Sequence, residues 1–338
     1  MVYCNPIEGI KKKMGALSMK QIKNLPAIQF IPFPDIDDPR PVLLITSTPA
    51  WNAVKDVIHL TIDSRPEPQK ATTTHWDDLI TPQPANSEVV YAVGGGLVAD
   101  AGKYIAYKLG LPLVVLPTAL SVDAFFTSAT GIREDGGVKY IDARPPDQVV
   151  IDFDIISAAP PQIRAAGITD VLSILTGSWD WQYAHQSGMN PTGMEFIPWV
   201  YQNAQSILQG VVDCAEAAGE GDHAGLKQLL DCLCMEVQLC NQLGHSRPEE
   251  GSEHYFTYCA EQFSGPAWPH ADLLGPGILY MAKLQGQDSK AAEAAMRACH
   301  IPLEHILPDM VERTIAALPE YCQKHDLPYG IAHTMKSL

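Results

Sequence analysis

The chain has 338 residues, enough for two domains of ordinary size, and its 46% of hydrophobic residues can bury a substantial core. Charged residues are 18% and the net charge is −16, which excludes a broad nucleic-acid-binding face and insertion into or docking on an anionic membrane. An anionic small molecule is not excluded, because the local field of a site outweighs the net charge.

Lys11, Lys12, Lys13 and Lys20 are not followed by an apolar run, so no secretory signal is expected. Two proline-rich loops, at 32–41 and 64–68, interrupt the early chain. Short apolar runs at 41–46 (PVLLIT), 89–93 (VVYAV), 113–116 (LVVL) and 149–152 (VVID) read as buried strands, with a helix at 97–109 between two of them. The longest apolar stretch, 109–120, is broken by Gly110, Pro112 and Pro117 and is too short to span a bilayer. Strand–helix–strand units of this kind imply a parallel sheet. Beyond residue 160 the period becomes helical, over 163–185, 196–218, 223–243, 252–263, 271–284, 290–299 and 308–325. Proline and glycine punctuate these helices, Gly265-Pro266 among them. The expected fold class is therefore an α/β domain over 1–160 followed by an all-α domain over 161–338.

The eight cysteines, Cys4, Cys214, Cys232, Cys234, Cys240, Cys259, Cys299 and Cys322, form no compact framework. They read as reduced thiols of a cytoplasmic protein. Cys232, Cys234 and Cys240 invite a metal reading, but Cys-x-Cys on a helix points its thiols to different faces, which favours core packing.

The strand at 89–93 runs into Gly94-Gly95-Gly96 and then a helix. Glycines let the backbone turn and approach a ligand, and free amides at a helix start suit a pyrophosphate. A plain strand-to-helix turn would look the same, since this is not the GxGxxG fingerprint. Asp100 and Lys103 follow on the helix, while Thr118 and Ser121 lie at a strand's carboxyl end, where open α/β sheets bind ligands. Asp123 could accept a ligand hydroxyl or simply serve as a cap or turn residue.

Asp170 is the one acid in an apolar helix start, His254 lies one turn into a helix, and His270 opens the next helix. Singly, each has an ordinary explanation in dipole, capping or surface placement. Together, a carboxylate and two imidazoles are a common donor set for catalytic zinc, with a position left for water or substrate. Two short-linked helices would pack antiparallel and could bring the histidines to one ion.

As a set, these motifs resemble the sn-glycerol-1-phosphate dehydrogenases, relatives of iron-containing alcohol dehydrogenases, glycerol dehydrogenases and dehydroquinate synthases. The segments are GGGLVADAGKYIAYKLGLPLVVLPTALSVDAF, AAGITDVLS, SRPEEGSEH at 246–254 and HADLLG at 270–275, in family order across 89–285. The resemblance implies a dehydroquinate synthase-like fold: a Rossmann-like N-terminal domain and a C-terminal helical metal-binding domain, with the active site between them. It implies that Gly94, Gly95, Gly96 and Asp100 line the pyrophosphate of NAD or NADP, and that Thr118, Ser121 and Thr127 face the cofactor. It places Asp123 towards substrate, and gives Asp170, His254 and His270 to zinc, with iron or nickel as alternatives.

The chain departs from the family pattern at Tyr258, where a histidine is usual, and at Thr127, where serine is usual. Tyr258 could donate a hydrogen bond and, with a lowered pKa, a proton. Asp63 is the candidate acid for the adenosine ribose, and Lys139 and Arg247 are the candidates for a substrate phosphate. The implied activity is hydride transfer between nicotinamide and a polyol or sugar phosphate, dihydroxyacetone phosphate and sn-glycerol 1-phosphate foremost, or an unphosphorylated alcohol. A dehydroquinate synthase-like lyase or cyclase and a non-catalytic nucleotide binder are the competing readings. Assembly into a homo-oligomer is left open.

Overall fold

The structure, a computed structural model, describes residues 23–81, 86–264 and 268–335. Cys4, the early lysines and the Gly265-Pro266 turn lie outside the described residues. The α/β half contains β1 (Ala27–Phe30), β2 (Val42–Thr46), α1 (Thr48–Val54), β3 (Ile62–Ser64), α2 (Thr73–Leu79), β4 (Val89–Gly94), α3 (Gly96–Leu109) and β5 (Leu113–Pro117). It continues through β6 (Ala129–Glu134), β7 (Gly137–Asp142), β8 (Gln148–Ile151) and α4 (Phe153–Ser157). The helical half follows with α5 (Pro161–Arg164), α6 (Ile168–Leu172), α7 (Ile174–Gln186), α8 (Pro198–Glu220) and α9 (His223–Leu243), then α10 (Ser252–Glu261), α11 (His270–Gln285), α12 (Lys290–Ala298) and α13 (Pro308–Lys324).

Six strands form one sheet in the order β1-β8-β5-β4-β2-β3, with every pairing parallel. The four strands expected from apolar runs are β2, β4, β5 and β8, at its interior. Both faces of such a strand are covered, which is why its sequence is continuously apolar. Leu43, Ile45, Val90 and Ala92 face one core, while Val42, Leu44, Val89 and Tyr91 face the other. The first core runs on into the helical half through Val171, Leu229, Leu233 and Leu274. A second helical core gathers Tyr255, Phe256, Leu273, Met281 and Leu318. Helix α3 stops at Gly110, whose φ of 66° is the left-handed closing turn that glycine adopts without a Cβ clash.

The structure adds β1 and β3, the two sheet edges, whose residues are largely exposed and so carry no apolar run. It also adds the antiparallel hairpin β6–β7, closed by Asp135 and Gly136 with φ of 54° and 72°. An Asp-Gly pair at positive φ is the usual two-residue hairpin turn, so a signal was present in the sequence. The single helix expected over 163–185 is instead α5, α6 and α7. The first break lies at 165–167, where a Cβ on Gly167 would be 3.0 Å from the Leu120 carbonyl oxygen, and a second falls at Ser173 between α6 and α7. Close approach of the 165–167 segment to the exit of β5 is what makes the first break.

The seven described cysteines are all free, with Cys214 and Cys232 packed into the main core as expected. No helix among the described residues is long and apolar enough to cross a membrane.

Candidate active site

A cavity of about 1940 Å³ separates the carboxyl ends of the sheet from α9, α10 and α11. At its sheet end, β4 hands over to α3 through Gly94-Gly95-Gly96. Gly94 is buried and carries the turn at φ 150°, so it shapes the loop without lining the cavity. Gly95 and Gly96 do line it. A Cβ on Gly96 would sit 2.9 Å from Val122 Cγ2, so only glycine leaves this lip open. The start of α3 carries no side-chain cap, and an uncapped helix start at a cavity wall suits a phosphate. Thr118, Ser121, Asp100 and Thr127 line the same wall.

Lys103 explains part of that wall. Its ammonium is fully buried and pairs with Asp100 at 2.9 Å. It also donates to the Ala124 carbonyl at 2.9 Å, to Thr127 Oγ1 at 3.1 Å and to the Ala129 carbonyl. A buried charge needs such partners. Here they fasten the 124–129 loop to α3 and orient Asp100 and Thr127.

At the helical end, Asp170, His254 and His270 come together, with one ligand atom from each within 4.8 Å of the others. Asp170 belongs to α6, His254 to α10, and His270 opens α11. The set fits a divalent ion on three grounds. Asp170 Oδ1 is buried and has no hydrogen-bond partner, yet lies 3.5 Å from His270 Nε2. Glu253 Oε1 sits 3.0 Å from His254 Nδ1, which fixes the proton there and leaves Nε2 free to ligate. Finally, the surroundings strain the ion-free charges. Burial pushes Asp170 up to about 8, with Asp123 adding to it. Burial alone would lower His254, but Glu253, Glu250 and Asp170 raise it to about 9. Burial and the neighbouring His254 and Arg133 hold His270 well below its ordinary value.

Between the two ends lie Asp123 and a group of acids. Asp123 opens a one-turn helix, whose cap position is Val122 rather than itself. Burial raises Asp123 to about 6. Its carboxylate forms a second close set with Glu236 and Glu249, again within 4.8 Å. Burial, then the neighbouring acids, pushes Glu236 and Glu249 well above the usual carboxylate range. Tyr258 donates to Glu250 Oε1 at 2.9 Å and so accepts from Tyr140, whose hydroxyl is 2.7 Å away. Burial and Glu250 raise Tyr258 well above its ordinary value. It is therefore a held hydrogen-bonding group, not an acidified tyrosine.

Of the residues expected at the glycine loop, the metal set and the substrate wall, all but Gly94 line this one cavity. Asp63, Lys139 and Arg247 do not. Asp63 accepts from Ser87 at 2.9 Å on the surface. Lys139 pairs with Asp135 at 2.7 Å at the hairpin tip. Arg247 is buried and donates to the Tyr329 carbonyl at 2.8 Å. Sequence reasoning missed Glu236 and treated Glu249 and Glu250 only as part of a motif. Glu236 had a signal: it sits beside Val237 on the face of α9 that carries Leu229 and Leu233, an acid on an apolar stripe.

The family model of iron-containing alcohol dehydrogenases matches residues 38–160, which contain five of the six strands of the sheet and the glycine loop. Glycerol-1-phosphate dehydrogenase (NAD(P)+) of Pyrococcus furiosus is 34% identical over 197 residues, 58% of this chain and 55% of that protein. The chain thus spans a little more than half the length of the curated relative it matches. A probable glycerol dehydrogenase from Sinorhizobium meliloti superposes with a TM-score of 0.65 at 21% identity, covering 88% of this chain and 89% of that one. A 2-epi-5-epi-valiolone synthase from Streptomyces hygroscopicus, with NAD+ and Zn2+ bound, gives 0.60 at 16% identity, covering 92% and 91%. The resemblance read across 89–285 holds: the sequence is similar to glycerol-1-phosphate dehydrogenases. The fold is that of the iron-containing alcohol dehydrogenases and dehydroquinate synthase-like proteins, a parallel α/β sheet followed by a helical half.

Proposed function

We propose that this chain is a cytoplasmic, metal-dependent, NAD(P)-linked dehydrogenase that interconverts a ketose and an alcohol, with dihydroxyacetone phosphate and sn-glycerol 1-phosphate as the pair. One observation carries the reading: the Asp170–His254–His270 set and the Gly95-Gly96 helix start face into the same cavity. The similarity to a glycerol-1-phosphate dehydrogenase supports the choice of substrate, and the bound NAD+ and Zn2+ of a structural neighbour support the cofactors.

In this reading the amides at the start of α3 take the pyrophosphate, and Thr118 and Ser121 orient the nicotinamide side. Asp170, His254 and His270 hold the divalent ion, zinc by donor type, with iron or nickel also compatible with the set. When bound, the ion supplies Lewis acidity towards the substrate oxygen and the nicotinamide supplies or takes the hydride. Asp123 accepts from a substrate hydroxyl and fixes which carbon faces the cofactor. Tyr258, held by Tyr140 and Glu250, sets the far wall where the related enzymes carry histidine. The cavity walls align the reactants and exclude water.

A second reading has an unphosphorylated polyol as substrate. It is favoured by the acids around the metal set, Asp123, Glu249 and Glu250, and by Arg133 being held by Glu261 at 2.8 Å. Neither candidate phosphate ligand reaches the cavity. Initial rates of NADH and NADPH oxidation with dihydroxyacetone phosphate against dihydroxyacetone separate the two. A higher kcat/KM for the phosphate ester supports the first; the reverse order transfers the assignment to the second. Inorganic phosphate release without net nicotinamide turnover would instead favour a cyclase or lyase.

A further inference from the structure

We propose a second cation site beside the first, built from the carboxylates of Asp123, Glu236 and Glu249 and suited to a hard divalent ion such as Mg2+ or Mn2+. The three come from separate segments: the loop after β5, the middle of α9, and the turn before α10. Their ligating oxygens lie within 4.8 Å of one another. Two oxygens on opposite sides of one ion are separated by about twice the bond length, about 4 Å for magnesium and about 5 Å for calcium. A spacing within 4.8 Å therefore admits an ion shared by the three.

Glu236 supplies the independent observation. It is 1% exposed, and neither of its carboxylate oxygens has a hydrogen-bond partner. Glu249 Oε2 is likewise buried and unpartnered. A buried ionised carboxylate without donors is costly, so such a group either takes up a proton or is held by a cation, and three of them converging on one point favour the cation. Lys103, whose buried ammonium acts on Asp123, is already committed to Asp100 and to the carbonyls of Ala124 and Ala129, and His254 is held by Glu253. A substrate ammonium does not answer the need. Asp123 and Glu249 line the cavity but Glu236 does not, so the shared point suits a bare ion better than a charge carried on a carbon skeleton.

The two sites differ in chemistry. Two imidazoles and a carboxylate select zinc-like ions, whereas three carboxylates select hard oxygen-seeking ones. They are also adjacent, since the Asp123 amide donates to Asp170 Oδ2 at 2.9 Å. A dication there would offset the acidic wall that an anionic substrate must pass.

The test uses the full chain, stripped with chelator, loaded with stoichiometric Zn2+, and titrated with Mn2+ while free Mn2+ is read by electron paramagnetic resonance and retained zinc by mass spectrometry. The expected result is a saturable Mn2+ site in the zinc-retaining protein, weakened at least about tenfold by Glu236→Gln, a loss typical even of outer partners of a metal. Glu249→Gln provides the same comparison should the first variant melt early. Absence of Mn2+ binding with zinc retained, displacement of zinc by Mn2+, or equal binding by both variants would overturn the site. Because zinc retention is read separately, loss of the Asp170–His254–His270 site is distinguishable from failure of this proposal.

Discussion

The main-chain amide of Asp123 donates to Oδ2 of Asp170 across 2.9 Å. This bond ties the loop after β5 to α6, and so fixes the acid of the helical half against the α/β half. With Oδ2 used for orientation, Oδ1 is left buried and without a hydrogen-bond partner, facing His270 at 3.5 Å. One oxygen positions the side chain and the other is free for an ion.

Asp170→Asn keeps the size of the side chain and removes its charge. Zinc content should fall to a small fraction of a full site, and kcat/KM should drop about a thousandfold, the scale of the several kcal/mol that a Lewis-acidic ion contributes. Metal analysis and steady-state kinetics check this, with circular dichroism confirming the fold. Full zinc occupancy in the variant would remove Asp170 from the ligand set.

Gly96→Ala places a methyl 2.9 Å from Val122 Cγ2. The lip of the phosphate loop must shift, so the KM for NADH or NADPH should rise about tenfold, equivalent to about 1.4 kcal/mol of binding. Zinc content should be unchanged. An unaltered cofactor KM would mean that the pyrophosphate binds elsewhere.

Tyr258→Phe removes the hydroxyl between Tyr140 and Glu250. Glu250 would keep the Ser246 hydroxyl, and the Tyr140 hydroxyl, on a residue that is 55% exposed, would turn to water. The cost expected for losing a hydrogen bond whose partner can reach water is about 0.5–1.5 kcal/mol. Denaturant unfolding measures it, and a midpoint equal to wild type would show that the chain Tyr140–Tyr258–Glu250 adds no stability.

Asp38 gives a pH dependence away from the site. Arg40 holds its carboxyl down at about 2, against an ordinary 3.8, and Tyr91 also donates to it, at 2.8 Å. Because the folded value is depressed, the stabilisation is present above pH 4 and is lost as pH falls through about 2. The Arg40 side chain is 39% exposed, so solvent screening reduces the contribution to about 1 kcal/mol. Asp38→Asn should therefore be less stable than wild type at pH 7 and indistinguishable near pH 2. An equal deficit at both values would trace the effect to packing.

The interior of the fold was legible because parallel strands covered on both faces must be continuously apolar, as VLLIT and LVVL are. The edges β1 and β3 were not, because an exposed three- or four-residue strand leaves no pattern. The first split of the 163–185 helix was hidden because Gly167 breaks it through a long-range contact with Leu120, which no local propensity encodes. At the site, the glycine loop and the Asp-His-His set were readable from residue types in order. Lys139 and Arg247 were misjudged because a cation's charge says nothing of its partners, and both are already spoken for by Asp135 and the Tyr329 carbonyl. The meeting of Glu236 and Glu249 with Asp123 required knowing which face of α9 turns towards the loop at Asp123.

The central claim is metal-dependent hydride transfer in this cavity. Its most direct test is absorbance at 340 nm with NADH or NADPH and dihydroxyacetone phosphate, comparing chelator-stripped protein, the same protein reloaded with zinc, and reloaded His270→Ala. The account predicts loss of absorbance in the reloaded wild type alone. No change with either cofactor across a panel of ketoses and their phosphates, or turnover unaffected by metal removal, would contradict it.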